Sequence, residues 1–184
     1  VLPASTVEHR AYLEGFFSRL GPDHAGVIDG YYGCGDSLVV RSAMPTQINP
    51  FAAERDHIGG EDDLLFGTMQ ARGARFAWAP DAWVSEHVPE SRANLGYAMR
   101  RAFAYGQGPS AAAAAARPAR WTGVLGWMAQ GSVQAAVFGA LAALQWLMRS
   151  PSRARTLDRA ARGLGKLLWF GVFKIEFYGR SAAA

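Results

Sequence analysis

Apolar residues recur at helical spacing in two separate parts of the chain. A first amphipathic helix is predicted to follow the capping-box pattern of residues 5–8 and to end at Gly21. A second helix is predicted to begin at a Ser91 cap and to stop at Gly106 and Gly108, just before Pro109. The apolar positions are Leu13, Phe16, Phe17 and Leu20 in the first helix and Leu95, Ala98, Met99, Ala102 and Phe103 in the second.

Shorter apolar runs between these helices predict strands. Residues 38–40 have the pattern of a short buried strand, and residues 76–78 and 82–84 have the pattern of two strands around a Pro-Asp turn. A further helix is predicted from about Glu61 to Arg72, where Gly73 caps it.

The most apolar part of the chain is residues 121–148, which carry no charged side chain. This run exceeds the roughly 20 residues that a helix needs to cross a bilayer core. A second apolar run, residues 164–177, is interrupted by two lysines and is too short for an ordinary span. Because basic residues flank the long run on both sides, a hairpin, re-entrant or interfacial attachment is favoured over a single crossing. A soluble helix buried against a partner is the alternative.

Small residues form one row along this predicted helix. They fall four apart, so that another helix can approach closely. The sequence therefore predicts a possible helix–helix partner at this row, which consists of Gly131, Ala135, Gly139 and Ala143.

Composition limits the classes of protein that the chain can form. A length of 184 residues fits one domain plus an appendage, and a single cysteine, Cys34, excludes an internal disulfide and a multi-cysteine zinc site. The chain opens on Val1 without a charged-then-apolar leader, so no signal peptide is expected. The formal charge is +4, and the last third is strongly basic. Beside an apolar run, this charge favours anionic lipid over nucleic acid.

Three adjacent carboxylates, Glu61, Asp62 and Asp63, stand where the central helix is predicted to begin. Acidic groups suit the positive end of a helix dipole, which accounts for one or two of them. Neighbouring side chains at a helix start point in different directions, so one carboxylate can cap the helix while another faces a cleft. A carboxylate in a cleft can act as a general base.

With the preceding Gly60 and the following Leu64, this cluster resembles the Gly-Glu-Asp signature of inverting family-two glycosyltransferases. The resemblance extends from about residue 27 to residue 108. It implies an α/β fold, the C-terminal, acceptor-side part of a GT-A nucleotide-diphospho-sugar transferase, followed by apolar membrane-associated helices. It also implies that Asp62 is the catalytic base and that Glu61 and Asp63 bind the acceptor. Residues 32–41 resemble the glycine-rich segment that ends in an acceptor-site arginine, here Arg41.

Two downstream segments extend the resemblance to the donor side. Residues 79–89 resemble the strand beside the family's metal, which implies that His87 binds Mg²⁺ or Mn²⁺. Arg100 and Arg101 resemble the paired arginines beneath the donor diphosphate, a task that suits permanently charged, bidentate guanidinium groups. The chain lacks an upstream Asp-x-Asp element and a preceding βαβ half, so we expect it to be an incomplete fragment without the donor-binding half. It also lacks the Gln-x-x-Arg-Trp pattern of processive synthases, which favours a nonprocessive enzyme.

These observations predict a domain portion at residues 1–108, an Ala/Arg linker at residues 109–120 and a membrane-associated helical tail at residues 121–184. The predicted partners are a nucleotide-sugar donor, a glycan or lipid-linked acceptor and a membrane, with no nucleic acid. We expect a hexosyltransferase-like enzyme at the cytoplasmic face, the inner membrane if the source is bacterial. Its expected role is bacterial polysaccharide or glycolipid synthesis. The alternatives are a non-enzymatic membrane-associated interaction module and a Cys34-dependent transferase.

Overall fold

A computed structural model describes residues 1–32, 35–45, 61–175 and 177, and for Glu61 the backbone only. This part of the chain is mostly helical, with two short strands. Its elements are α1 (Arg10–Phe17), β1 (Gly26–Ile28), α2 (Glu61–Ala71), β2 (Phe76–Trp78), α3 (Leu95–Ala115), α4 (Trp121–Leu147) and α5 (Arg153–Leu167), with 3-10 turns at Arg41–Ala43 and Gly171–Phe173. Two short antiparallel strands do not establish the predicted GT-A α/β fold, which stays a prediction.

The chain divides into two compact units. The helical unit consists of Val1–Phe17 and His87–Ile175, and the strand unit consists of Ser18–Glu86 and Glu176–Ala184. Helices α1, α3, α4 and α5 belong to the helical unit. Helix α2 and both strands belong to the strand unit.

Helix α1 confirms the predicted N-terminal helix, but it begins later than the sequence indicates. His9 has a φ of 56°, in the left-handed region, and the helix begins only at the next residue, Arg10. The Ser5 hydroxyl donates instead to Glu90 Oε1 at 2.8 Å. The predicted capping box at residues 5–8 is therefore wrong, because a side chain distant in sequence accepts from the serine.

Helix α3 confirms the second predicted helix but differs from the prediction at both ends. Asn94 caps it, accepting from the backbone N–H of Tyr97 at 2.9 Å, so the Ser91 cap is wrong. The helix continues through Pro109 to Ala115, and the predicted stop at Gly106 is also wrong. Gly106 serves a packing role instead, since a Cβ at this position would overlap the backbone carbonyl of Arg162. Residues 109–115 of the predicted linker are thus helical, while the domain division stays a prediction.

Helix α5 packs against α3 on one side and against α4 on the other through two glycines. A Cβ on Gly163 would lie 2.6 Å from the backbone nitrogen of Ala135 and 2.8 Å from the carbonyl oxygen of Gly131, both in α4. A Cβ on Gly165 would overlap the carbonyl of Phe103 in α3. Residues two apart on a helix point about 200° apart, so the two glycines serve opposite sides of α5.

Only the first half of the small-residue row of α4 contacts α5. Gly131 and Ala135 contact α5, whereas a Cβ on Gly139 would meet nothing within 4 Å and Ala143 is exposed. A row of residues four apart is inclined to the helix axis, so it turns away from a neighbour after about two turns. Contact of this row with another protein stays a prediction.

Helix α4 confirms that the long apolar run forms one continuous helix. Among the described residues it is the one helix whose length and composition suffice to cross a membrane. That match alone is weak support for membrane association. The second apolar run, residues 164–177, is not a helix of its own: its first residues end the basic helix α5, and a 3-10 turn follows.

The strand unit is built around α2 and the antiparallel pair of β1 and β2, in which Gly26 pairs with Trp78 and Ile28 with Phe76. Helix α2 confirms the predicted central helix. It ends as predicted, because Gly73 has a φ of 83° and the N–H of Ala74 donates to the Met69 carbonyl at 3.0 Å. The buried core residues are Leu65, Phe66 and Met69, and the partly buried residues packed on them are Tyr31, Val39, Met44, Ala74 and Phe76.

Two predicted strands in this unit are wrong. Residues 38–40 form no strand: Leu38 and Val40 are exposed, and only Val39 packs against the core of α2. Residues 82–84 are likewise irregular and exposed, Trp83 at 69%. A run of β-branched or aromatic residues forms a strand only when a partner strand pairs with it.

The helix contacts predict opposite effects for two Gly-to-Ala substitutions. Gly163→Ala should lower the free energy of unfolding by roughly 1–3 kcal/mol, because the new methyl group meets the backbone of α4. Gly139→Ala is the matched control. It should raise the free energy of unfolding by about 0.5–1 kcal/mol, since its methyl group meets open space and alanine favours a helix. Urea denaturation followed by circular dichroism measures both, and equal effects would contradict the close packing of α5.

Candidate functional site

The predicted catalytic carboxylates occupy the first turn of α2. Asp62 is partly buried and Asp63 is exposed, whereas the side chain of Glu61 lies outside the described residues. The Tyr31 hydroxyl donates to the backbone carbonyl of Asp63 at 3.0 Å. The acidic turn is therefore fastened to a loop that lies about thirty positions earlier in the sequence.

Tyr31 has a raised pKa because of its burial and, next, because of the charges of Asp63 and Asp62. Both carboxylates are thus within electrostatic reach of the phenol. The Tyr31 ring packs on Phe66 and Phe76, with centroids 5.3 Å and 5.6 Å away. The core of the strand unit therefore fixes the position of the hydroxyl beside the first turn of α2.

An open cleft of about 450 Å³ lies along the loop that contains Tyr31. Two side-chain hydrogen bonds hold this loop to α2. One is the bond from Tyr31 to Asp63, and in the other Gln70 Nε2 donates to the Asp29 carbonyl at 2.7 Å. The residues that line the cleft are Pro22, His24, Val27, Ile28, Asp29, Gly30, Tyr31 and Tyr32.

Two tyrosines of this cleft were not predicted as site residues, although Tyr32 is the first residue of the glycine-rich segment 32–41. Tyr31 and Tyr32 stand together immediately before a glycine. Adjacent aromatic residues in a glycine-containing loop are the signal that could have identified them, since rings on a loop supply a flat binding surface for a sugar or a base. Tyr32 is exposed, and its ring lies 5.2 Å from that of Trp78.

Arg41 is exposed at the start of its 3-10 turn. The residues on either side anchor this segment, because Val39 and Met44 pack against the buried core of α2. The segment of Arg41 is therefore attached to the same helix as the predicted base, although no strand leads into it.

Arg100 and Arg101 occupy successive positions of α3 in the helical unit but have different surroundings. Arg100 is exposed, while Arg101 is partly buried and donates to the Tyr105 hydroxyl at 2.7 Å. The guanidinium groups of Arg101 and Arg162 lie 4.9 Å and 5.4 Å from the centre of the Tyr105 ring. Two cations thus share one aromatic ring.

His87, the predicted metal ligand, is exposed at the beginning of the second segment of the helical unit. Among the described residues, no three His, Cys, Asp or Glu side chains gather as a metal-holding group. His87 alone does not make a metal site, and a role for Mg²⁺ or Mn²⁺ stays a prediction.

The structure distributes the predicted site residues over both units. Asp62, Asp63 and Arg41 lie in the strand unit, whereas His87, Arg100 and Arg101 lie in the helical unit. Neither unit by itself contains the complete predicted site. Cys34, on which the alternative transferase depends, and Gly60 of the acidic signature lie outside the described residues.

Comparison with known proteins gives one partial similarity. No family model matches the chain, and no solved structure matches it. Over 92 residues the chain is 37% identical to the succinoglycan biosynthesis protein ExoM of Rhizobium meliloti (strain 1021). The aligned part is 50% of this chain but only 29% of that protein. The chain therefore spans well under two thirds of the relative's length.

The surroundings of Tyr31 predict that the difference in stability between wild type and the Tyr31→Phe variant depends on pH. Tyr31→Phe should lower the free energy of unfolding by about 1 kcal/mol near neutral pH, because the bond to the Asp63 carbonyl is lost. Because the pKa of the Tyr31 phenol is higher in the folded than in the unfolded state, the protonated phenol stabilises the fold at pH values below the unfolded-state pKa of about 10. This contribution is lost as the pH rises through the folded-state pKa. The difference between wild type and variant should therefore shrink above about pH 10.

Urea denaturation at a series of pH values measures this difference. Tyr32→Phe is the matched control, since the neighbouring tyrosine is exposed and its ring contact with Trp78 survives the change. A Tyr31→Phe difference that stays constant across the alkaline range would contradict the described environment of the phenol.

Proposed function

We propose that the chain is the acceptor-side part of a glycosyltransferase that acts in bacterial polysaccharide synthesis. The observation that carries the proposal is the start of α2, where a partly buried Asp62 lies beside Tyr31 in a run of three carboxylates. The similarity to a succinoglycan biosynthesis protein supports the polysaccharide class. The acidic signature supports family two and the GT-A fold.

The proposed reaction transfers a sugar from a nucleotide diphosphate donor to a hydroxyl of a glycan or lipid-linked acceptor. Asp62 accepts the proton of that hydroxyl while its oxygen forms a bond to the anomeric carbon. The bond from that carbon to the diphosphate oxygen breaks on the opposite side, and its electron pair leaves with the diphosphate. Attack opposite the leaving group inverts the anomeric configuration.

Asp62 is the better candidate for the base than its neighbour Asp63. Successive helix residues point about 100° apart, so the two carboxylates face different surroundings. Asp62 is partly buried, whereas Asp63 is exposed. Glu61, Asp63 and Arg41 would then orient the acceptor through hydrogen bonds to its other hydroxyl groups.

The departing diphosphate requires positive charge, and the arginines of α3 are proposed to supply it. Arg101 is held in place by Tyr105, so its guanidinium loses little freedom when it binds phosphate. Arg100 is exposed on the adjacent position. A divalent cation, with His87 as one proposed ligand, would further neutralise the diphosphate charge when bound.

The proposed location is the cytoplasmic face of a membrane, the inner membrane in a bacterium. Support comes from α4, which is uncharged over its whole length, and from the basic residues that flank it. The same helix supports the second candidate function, a non-enzymatic membrane-associated interaction module. That module would not depend on Asp62, so catalysis separates the two functions.

The Asp62→Asn variant of the complete enzyme tests the proposal. Asparagine is nearly isosteric but cannot accept the hydroxyl proton, so transfer should fall on the order of 100- to 10,000-fold while nucleotide-sugar binding is kept. Release of nucleoside diphosphate from a set of nucleotide sugars measures transfer, and equilibrium titration measures binding.

Asp81→Asn is the matched control, because it makes the same change at an exposed position of the strand unit outside α2. Its turnover should equal that of wild type. Normal turnover of Asp62→Asn would exclude this residue as the base. Loss of turnover on alkylation of Cys34 would instead favour the cysteine-dependent alternative.

A further inference from the structure

Helix α4 presents a broad apolar surface away from its neighbours. The outward face of α4 consists of Leu125, Val133, Val137, Leu144 and Leu147, which are between 53% and 83% exposed. No charged side chain interrupts it, because the helix contains none. These exposed apolar residues share one face of the helix, whereas the apolar exposure that is normal for a soluble protein is scattered singly.

Helix α5 runs antiparallel along most of α4. Near one end the Lys166 ammonium lies 5.5 Å from the Trp127 ring, and near the other the Arg153 guanidinium lies 5.2 Å from the Trp146 ring. These contacts span roughly 29 Å of α4, about the thickness of a bilayer core. A crossing of the membrane by α4 would therefore carry α5 into the hydrocarbon.

The charges of α5 oppose such a crossing. The basic stripe of α5 consists of Arg155, Arg159, Arg162 and Lys166, which recur at helical spacing on one side. The one acidic residue of α5, Asp158, is buried and already accepts from Arg162 at 2.7 Å and from Tyr12 at 2.9 Å. Each cation at the bilayer centre disfavours insertion roughly 100-fold. Four of them exclude a deep position for the α4–α5 pair.

The basic stripe adjoins the outward face of α4. A shallow groove contains Val133 and Val137 of the outward face together with Gln134 and Phe138. The Lys166 ammonium donates to Gln134 Oε1 at 2.7 Å, and the Arg159 guanidinium lies 5.2 Å from the Phe138 ring. Apolar surface and positive charge are thus continuous across one groove.

Within the described residues, no carboxylate forms an ion pair with Arg155, Arg159 or Lys166. We propose that the outward face of α4 and the basic stripe of α5 together bind the surface of an anionic membrane, with α4 parallel to the bilayer plane. Apolar side chains enter the boundary between headgroups and acyl chains, and the cations reach lipid phosphates. The proposal deepens the membrane part of the proposed function but does not depend on sugar transfer.

Vesicle flotation of the intact chain tests the choice of lipid. Binding should be tighter to an equal mixture of phosphatidylcholine and phosphatidylglycerol than to phosphatidylcholine alone. One cation near an anionic surface contributes about fivefold, so the triple variant Arg155→Gln, Arg159→Gln, Lys166→Gln should bind the anionic vesicles roughly 100-fold more weakly. Equal binding of wild type and this variant would overturn the proposal.

Two further variants separate charge loss from misfolding. The variant Arg155→Lys, Arg159→Lys keeps the charge and should keep the affinity for anionic vesicles. The variant Arg19→Gln, Arg72→Gln, Arg75→Gln removes the same net charge from exposed residues of the strand unit and should also bind normally. Weak binding by this second variant would show that overall charge, rather than the basic stripe, attracts the membrane.

The orientation of α4 is tested by fluorophores on single cysteines in place of Leu125, Val137 or Leu147, with Cys34 changed to serine. After the chain has bound to preformed vesicles, a membrane-impermeant quencher added outside should quench all three labels to the same extent, because in-plane binding holds them at one depth in the outer leaflet. Protection of the label at one end of α4, with quenching at the other, would show a crossing and overturn the in-plane arrangement. Activity of the proposed transferase has no influence on either readout.

Discussion

The helical unit depends on close contact between helix backbones at two glycines of α5. Gly163 lies against Gly131 and Ala135 of α4, and Gly165 lies against Phe103 and Gly106 of α3. These contacts leave no room for side chains, so α5 can pack against both of its neighbours at once. Polar bonds reinforce the arrangement, because Ser110 of α3 donates to the Lys166 carbonyl at 2.8 Å.

The position of α5 determines the surroundings of its charges. Asp158 is buried, and Tyr12 of α1 and Arg162 satisfy its carboxylate. Burial of the Tyr12 phenol, followed by its interaction with Asp158, raises the pKa of this tyrosine. Arg159 and Lys166 lie beside aromatic rings of α4, so that one side of the helix pair is basic while the outward face of α4 stays apolar. The glycine contacts thus create the amphipathic surface.

Elements with strong local signals could be predicted from the sequence. Helix α2 begins at the acidic cluster and ends at Ala71, just before Gly73, and α4 follows from the long uncharged run. Wrong predictions arose where a tertiary contact overrides a local signal. Gly106 has the pattern of a helix stop, but it is a contact point between helices, and Ser5 bonds to Glu90 instead of capping α1.

The candidate site, like the fold, could be predicted from the sequence only where its residues are close together in the chain. Its carboxylates are contiguous in sequence and belong to the start of one helix, so local reasoning could locate them. The role of Tyr31 depends on a hydrogen bond across 32 positions, which no local pattern specifies. Asp62 and Arg101 belong to two separate units, so the spacing of residues in the sequence does not determine the distance between these side chains.

Binding with α4 parallel to the bilayer plane requires that α5 stays packed on α4 when the chain meets a membrane. The most direct measurement is the distance between spin labels at Val133 of α4 and Leu164 of α5, both exposed, compared in solution and on anionic vesicles. We expect the same narrow distance distribution in both conditions. A longer or much broader distribution on vesicles would show that α4 leaves α5 to enter the bilayer, and would rule out binding of the intact helix pair.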